Sequence, residues 1–100
     1  MDKRIAHYEL ESVKTAVRQL GINGFTATAQ NNARLMGLNE AEALAVVLGL
    51  QRGMLFKSMT THTDNSVWQD VYHAPCQNGK TAYIKLTMRA GAVVIQFKEK

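Results

Sequence analysis

The stretch TAYIKLTMRAGAVVIQFK, residues 81–98, alternates with a period of two on either side of an Ala-Gly pair. Successive side chains of an extended chain point to opposite faces. Ala82, Ile84, Leu86 and Met88 therefore share one face of a first strand, and Tyr83, Lys85, Thr87 and Arg89 share the other. Beyond Ala90 and Gly91, Val93, Ile95 and Phe97 take the buried phase of a second strand, leaving Gln96 and Lys98 with the opposite one. One face of this hairpin is core and the other is wet.

Working upstream, SVWQDVYH, residues 66–73, is equally rich in β-branched and aromatic residues and is parted from the hairpin by PCQNG, residues 75–79. It makes a third strand of an antiparallel meander, and an earlier strand is expected over Leu55 to Thr61. Here alternation does not reveal which face is buried. Gln69 lies between Trp68 and Asp70, with Val67 and Val71 on its own side, so both faces are half apolar. Trp68 and Tyr72 are expected in the core, each with a polar tip to satisfy.

Before Gly53 the apolar period is helical. ELESVKTAVRQL, residues 9–20, sets Leu10, Val13, Val17 and Leu20 on one stripe, with Gly21 as the stop. TATAQNNARLMG, residues 26–37, offers Thr26 or Thr28 as a cap and Gly37 as a stop. NEAEALAVVLGL, residues 39–50, begins on Asn39 with Glu42 at capping-box spacing and is closed by Gly49. Helices first and strands after predict an α+β fold, N-terminal helices packed on one face of a C-terminal antiparallel β-sheet. A chain of 100 residues suits one such domain with a single core.

Composition narrows the function classes. Hydrophobic residues at 46% and charged ones at 20% describe a globular chain rather than a disordered one. No apolar run approaches the roughly 20 residues that cross a bilayer, and the start MDKRIAHYELE has no apolar signal core, so a cytoplasmic protein with no membrane partner is expected. Cys76 is the one cysteine, which leaves no internal disulfide and reads as a loop bystander. The net charge of +4 lies wholly in residues 51–100, where seven basic side chains face three acidic ones. That bias favours a polyanionic partner.

The wet face of the sheet gathers Tyr83, Lys85, Arg89, Gln96 and Lys98, and Lys57 and Gln69 lie on neighbouring strands able to aim the same way. Cations and amide donors suit phosphate oxygens, and an aromatic ring suits a base. A solvated strand face with lysine and tyrosine chosen for solubility would show the same pattern. No acid is read on this face, however, whereas a surface built for solubility would intersperse both signs. His7, His62 and His73 lack the spacing of a helical or finger metal site, so no metal is expected. His62 and His73 remain acid or base candidates. Phosphate-binding loops, dinucleotide fingerprints and nucleophile elbows are absent.

The blocks FKSMTT (56–61), WQDVY (68–72) and FKEK (97–100), with the opening KR before His7 and the later VK at Val13 and Lys14, resemble the MqsR (motility quorum-sensing regulator) toxin family. That family belongs to the RelE-like group of bacterial mRNA interferases. The resemblance spans nearly the whole chain and is loosest between Gln19 and Leu38. It implies a RelE-like toxin of a toxin–antitoxin pair, an endoribonuclease that cuts single-stranded mRNA at a short sequence, without metal or other cofactor, and so arrests translation. It implies Lys57, Gln69, Tyr83 and Lys98 as the catalytic set, and the wet face and histidines beside them, Lys85, Arg89, Gln96, His62 and His73, are expected as the RNA-binding surround. In this reading Lys57 and Lys98 carry the charge of the phosphorane, Gln69 bonds phosphate or base, and Tyr83 stacks or moves a proton. General acid and base are not separated by the sequence. The implied partner is an antitoxin with a zinc-binding part and a helix-turn-helix, and promoter DNA is reached only through the pair. In HAPCQNGKTA, His73 stands where an arginine is familiar. The competing reading is a non-catalytic nucleic-acid-binding or regulatory module.

Overall fold

The computed structural model describes residues 1–100. Strand β1 (Asp2–Lys3) is followed by helix α1 (Leu10–Leu20), a 3-10 turn over Gly21–Gly24, α2 (Ala27–Leu35), α3 (Glu40–Leu48) and a second 3-10 turn over Arg52–Met54. The remaining strands are β2 (Leu55–Thr60), β3 (Trp68–Pro75), β4 (Thr81–Arg89) and β5 (Ala92–Glu99). They form one antiparallel sheet in chain order, β1 to β5.

The helices begin and end where local chemistry requires. Thr26 caps α2 by accepting from the Ala29 N–H at 3.0 Å. Asn39 and Glu42 close a reciprocal capping box on α3, at 2.8 and 2.9 Å, satisfying donors that a helix start leaves free. Gly21 ends α1 at φ 57°, where a Cβ would be strained. Leu10, Val13, Ala16 and Val17 of α1 and Ala43, Val46 and Val47 of α3 are buried against Tyr72, Ala74, Ala82, Ile84, Leu86, Val93, Ile95 and Phe97 of the sheet. Helices α1 and α3 thus lie on one face, and the other stays open.

Helix α2 lies against β5 through the small residues Ala29 and Ala33, both buried. Just before it, Phe25 bridges Ile95 in parallel and the Thr26 N–H donates to the Ile95 carbonyl at 3.0 Å. The Asn32 amide donates to the Phe97 carbonyl at 3.0 Å. Part of an otherwise unpaired sheet edge is thereby closed.

Four details depart from the sequence reading. Strand β3 runs over 68–75 rather than 66–73, because the residues before it are spent on a turn. In that turn the Asp64 carboxylate accepts from the Ser66 hydroxyl at 2.6 Å and the Ser66 N–H at 2.9 Å, bonds that hold its pKa below the ordinary value. β1 was not anticipated, since two residues carry no period. Trp68 is half-buried rather than core: it lies under the N-terminal segment, with the His7 ring stacked at 5.2 Å and the Lys3 ammonium 4.2 Å from its centroid. Cys76 is no bystander in a loop but a buried part of the core, and burial pushes its thiol pKa up.

The N-terminal segment is held down by a buried carboxylate. Asp70 is fully buried and accepts the His7 N–H (3.0 Å), the Tyr8 N–H (2.9 Å) and the Ser58 hydroxyl (2.6 Å). An unpaired buried charge would be costly, and here three donors replace water. This clamp keeps β1 paired beside β2.

Candidate active site

The open face is ordered by the sheet register. Lys57, Val71, Lys85 and Gln96 stand in one row across four strands, and His73, Tyr83 and Lys98 stand in the next. Gln69 pairs with Met59 on the far side of the first row. This settles the ambiguity of WQDVY: Gln69, Val71 and His73 take the open face, while Asp70, Tyr72 and Ala74 face the helices. The Tyr72 phenol is pushed up to about 12, first by burial and then by Asp70, and belongs to the core.

Lys57 reaches the open face through an irregularity. Leu55 pairs with Tyr72 and Lys57 with the adjacent Val71, so two residues on β2 oppose one step on β3. Such a bulge changes the alternation. Leu55 keeps its contact with the core while Lys57, two residues on, points the other way. The extra residue, Phe56, stacks on the His73 ring at 4.5 Å. Val71 is fully buried although it sits on the open face. Its cross-strand neighbours are Lys57 and Lys85, whose aliphatic stems cover it while their charges stay in solvent.

Two grooves cross this face. One, of about 450 Å³, lies between α2 and strands β4 and β5 and is lined by Tyr83, Lys85, Gln96 and Lys98 together with Thr26, Thr28 and Asn32 of the helical side. The other, of about 680 Å³, lies over β1, β2 and the β2–β3 loop and is lined by Lys57, Gln69, His62, Asn65, Lys85 and Gln96 among others. Lys85 and Gln96 line both, so the grooves meet over them. Adjacent strands are about 4.8 Å apart, which puts the Lys57 and Lys98 backbones, three strands apart, at about 15 Å. Lys57 and Gln69 occupy one end of a trough and Tyr83 and Lys98 the other.

The electrostatics are not uniformly positive. The Asp2 carboxylate, carried onto the open face by β1, lies 3.4 Å from the Lys57 ammonium. The acid-free face expected from the sequence therefore has one acid, contributed by the strand that the sequence did not reveal. Lys98 and Lys85 have no carboxylate within ion-pair distance, and their ammonium groups lie 5.0 and 6.0 Å from the Tyr83 ring centroid.

The remaining expected site residues are more scattered. His62 is exposed in the β2–β3 loop and borders the second groove. Arg89, at the end of β4, and His73 border neither groove. His73 is wedged between Phe56 and Tyr83, with ring centroids 4.5 and 5.5 Å away, and its Nε2 is buried with no hydrogen-bond partner. Burial first, and then the charge of Lys100, hold its pKa below the usual histidine value. It is placed to support the Tyr83 ring rather than to touch a ligand in the trough. Thr28, a cap candidate in the sequence, lies inside α2 behind the Thr26 cap and borders the first groove, and Asn32 reads in the sequence as an ordinary helix position. No three His, Cys, Asp or Glu side chains cluster as metal ligands, and no helix is long and apolar enough to cross a membrane.

Ammonium, amide and phenol groups over an open antiparallel sheet define a class of protein that handles a polyanionic strand. Residues 5–99 match the family described as motility quorum-sensing regulator, toxin of MqsA. Over 100 residues, the whole of both chains, the sequence is 37% identical to the mRNA interferase toxin MqsR of Escherichia coli (strain K12). The chain belongs to the MqsR toxin family.

Proposed function

We propose that this protein is the toxin of a toxin–antitoxin pair, an endoribonuclease that cuts single-stranded mRNA in the trough on its open sheet face. The observation that carries the reading is the continuity of the two grooves over Lys85 and Gln96, with Lys57 and Gln69 at one end and Tyr83 and Lys98 at the other. A strand of RNA laid across the sheet meets Lys57 on β2, Lys85 on β4 and Lys98 on β5, cations able to hold its phosphates. The 37% identity to an mRNA interferase toxin supports the same activity.

In the proposed reaction a base takes the proton of the RNA's own 2′-hydroxyl. The freed O2′ attacks the adjacent phosphorus, and the 5′-oxygen leaves with a proton from an acid. A 2′,3′-cyclic phosphate and a 5′-hydroxyl result. Lys57 and Lys98 stabilise the extra negative charge of the phosphorane, Gln69 bonds a phosphate oxygen or base, and Tyr83 packs on a base or passes a proton. Lys85 and Gln96 hold the strand between the two ends. The donor set of amines, amide and phenol suits this chemistry without a metal.

The proposed partner is an antitoxin of the MqsA kind, zinc-binding with a helix-turn-helix, through which alone the pair meets promoter DNA. The setting is the cytoplasm, where mRNA is translated.

The test is incubation with a defined single-stranded RNA in excess chelator, beside Lys98→Ala, with both new ends mapped. Cuts at a recurring short sequence with cyclic-phosphate and 5′-hydroxyl ends are expected, slowed in the variant by about 10²–10³. RNA that is bound but left whole would favour the non-catalytic module.

A further inference from the structure

We infer that the groove between α2 and β5 is a nucleobase subsite in which Thr28 and Asn32 read the base beside the cut and select one bearing an exocyclic amine over uracil. The inference rests on the proposed RNA cleavage and assigns its sequence preference to particular side chains. Its size of about 450 Å³ lies in the range of small-ligand clefts. Its walls divide the labour of base recognition: Tyr83 and Lys98 stand on the sheet side, Thr28 and Asn32 on the helix side, and the buried residues Ala29 and Phe97 supply apolar lining.

The polar groups of the helix side are uncommitted in a defined way. The Asn32 Nδ2 donates to the Phe97 carbonyl at 3.0 Å. A carbonyl only accepts, so the amide must put its nitrogen there. Its Oδ1 is left as a fixed acceptor with no protein partner. The Thr28 hydroxyl is exposed and has no protein hydrogen bond, unlike the neighbouring Thr26, whose oxygen is committed to the helix cap. A fixed acceptor favours a base edge that offers an amine, as adenine, cytosine and guanine do. Uracil can offer the Asn32 oxygen only its N3–H, and the two carbonyl oxygens that flank it then lie against that oxygen and weaken the bond relative to an amine edge.

On the sheet side, the Lys98 ammonium lies 5.0 Å from the Tyr83 centroid with no acidic partner. An incoming base can displace it from the ring, and the freed ammonium then meets the adjacent phosphate. Stacking fixes the plane of the base and leaves its edge to the helix side.

The experiment is cleavage of a randomised single-stranded RNA pool by the wild type, Thr28→Val and Asn32→Ala, with cut sites sequenced and each protein's melting temperature recorded. The wild type should show a position next to the cut depleted in uracil. Each variant should relax that one position by about three- to tenfold, in line with the loss of a single hydrogen bond, and leave the others unchanged. Partial unfolding would lower all cutting alike and leave base preferences intact, so the readout is independent of stability. Thr28→Val loses only an unbonded hydroxyl and keeps the test valid should Asn32→Ala fold poorly. Identical preferences in wild type and Thr28→Val, or a wild type that favours uracil at every adjacent position, would overturn the subsite alone. A wild type that cuts nothing would overturn the nuclease reading and the subsite with it.

Discussion

Asp70→Asn is nearly isosteric, yet it should be among the most destabilising single changes available in this chain. The carboxylate is fully buried and serves three donors, Oδ1 accepting from the His7 N–H and the Ser58 hydroxyl and Oδ2 from the Tyr8 N–H. An asparagine can keep its oxygen at the Oδ1 position and retain two of these bonds. Its NH₂ must then face the Tyr8 N–H, donor against donor. The loss is one charge-assisted bond, about 1.5–3 kcal/mol, and the two that survive are weakened because their acceptor is now neutral. A total of about 3 kcal/mol is expected, equivalent to a fall of about 12–24 °C in melting temperature for a domain of this size. Urea unfolding followed by tryptophan fluorescence suits the case, since Trp68 lies directly under the clamped segment. Asp70→Ala, which removes every acceptor, should cost at least as much. A shift under about 0.5 kcal/mol for Asp70→Asn would refute the reasoning, and would mean that the segment is held by Lys3 and His7 on Trp68 rather than by the carboxylate.

Three further outcomes follow from particular contacts. Asp2→Asn removes the counter-ion that RNA must displace from Lys57; with Asp2 57% and Lys57 26% exposed, the pair is worth about 0.2–1 kcal/mol, so KM should fall by about 1.4- to 5-fold at constant kcat. A drop in kcat instead would show that Asp2 positions Lys57. Ala90 and Gly91 both have positive φ, 50° and 79°, in the two-residue β4–β5 turn, and Ala90→Asn should raise stability by about 0.5–1 kcal/mol by supplying a residue that tolerates the conformation; unchanged urea midpoints would contradict this. Finally, a histidine whose folded pKa is depressed binds protons more readily when unfolded. The contribution of His73 is therefore fully present above about pH 6.5 and is lost as pH falls through its lowered folded pKa. His73→Gln should flatten the acid limb of the stability profile, and an unaltered limb would count against the burial of that ring.

What could be read from the sequence, and what could not, divides along the range of the signal. Strand β4 and the capping box of α3 are written in local alternation and local spacing, and they appear where expected. The orientation of Lys57 is not local: it depends on a bulge whose only trace in the sequence is one surplus residue, Phe56. Gln69 lies between faces of equal polarity, so its direction is decided by the helices that cover the other side. Asp2 and Asn32 enter the trough only because β1 and α2 return to opposite ends of the sheet. Sequence patterns show which residues share an element and are silent on which elements come to share a groove.

The bond from Asn32 to Phe97 has an evolutionary consequence. The same amide that presents an acceptor to the groove also occupies a carbonyl on the rim of the sheet, where a foreign strand would otherwise dock. Substitution at residue 32 changes what the groove recognises and, at the same stroke, how readily two copies of the chain adhere. Residue 28 has no such second duty. Lineages that drift toward new target sequences should change first at 28, and should alter 32 only alongside compensating changes at the rim.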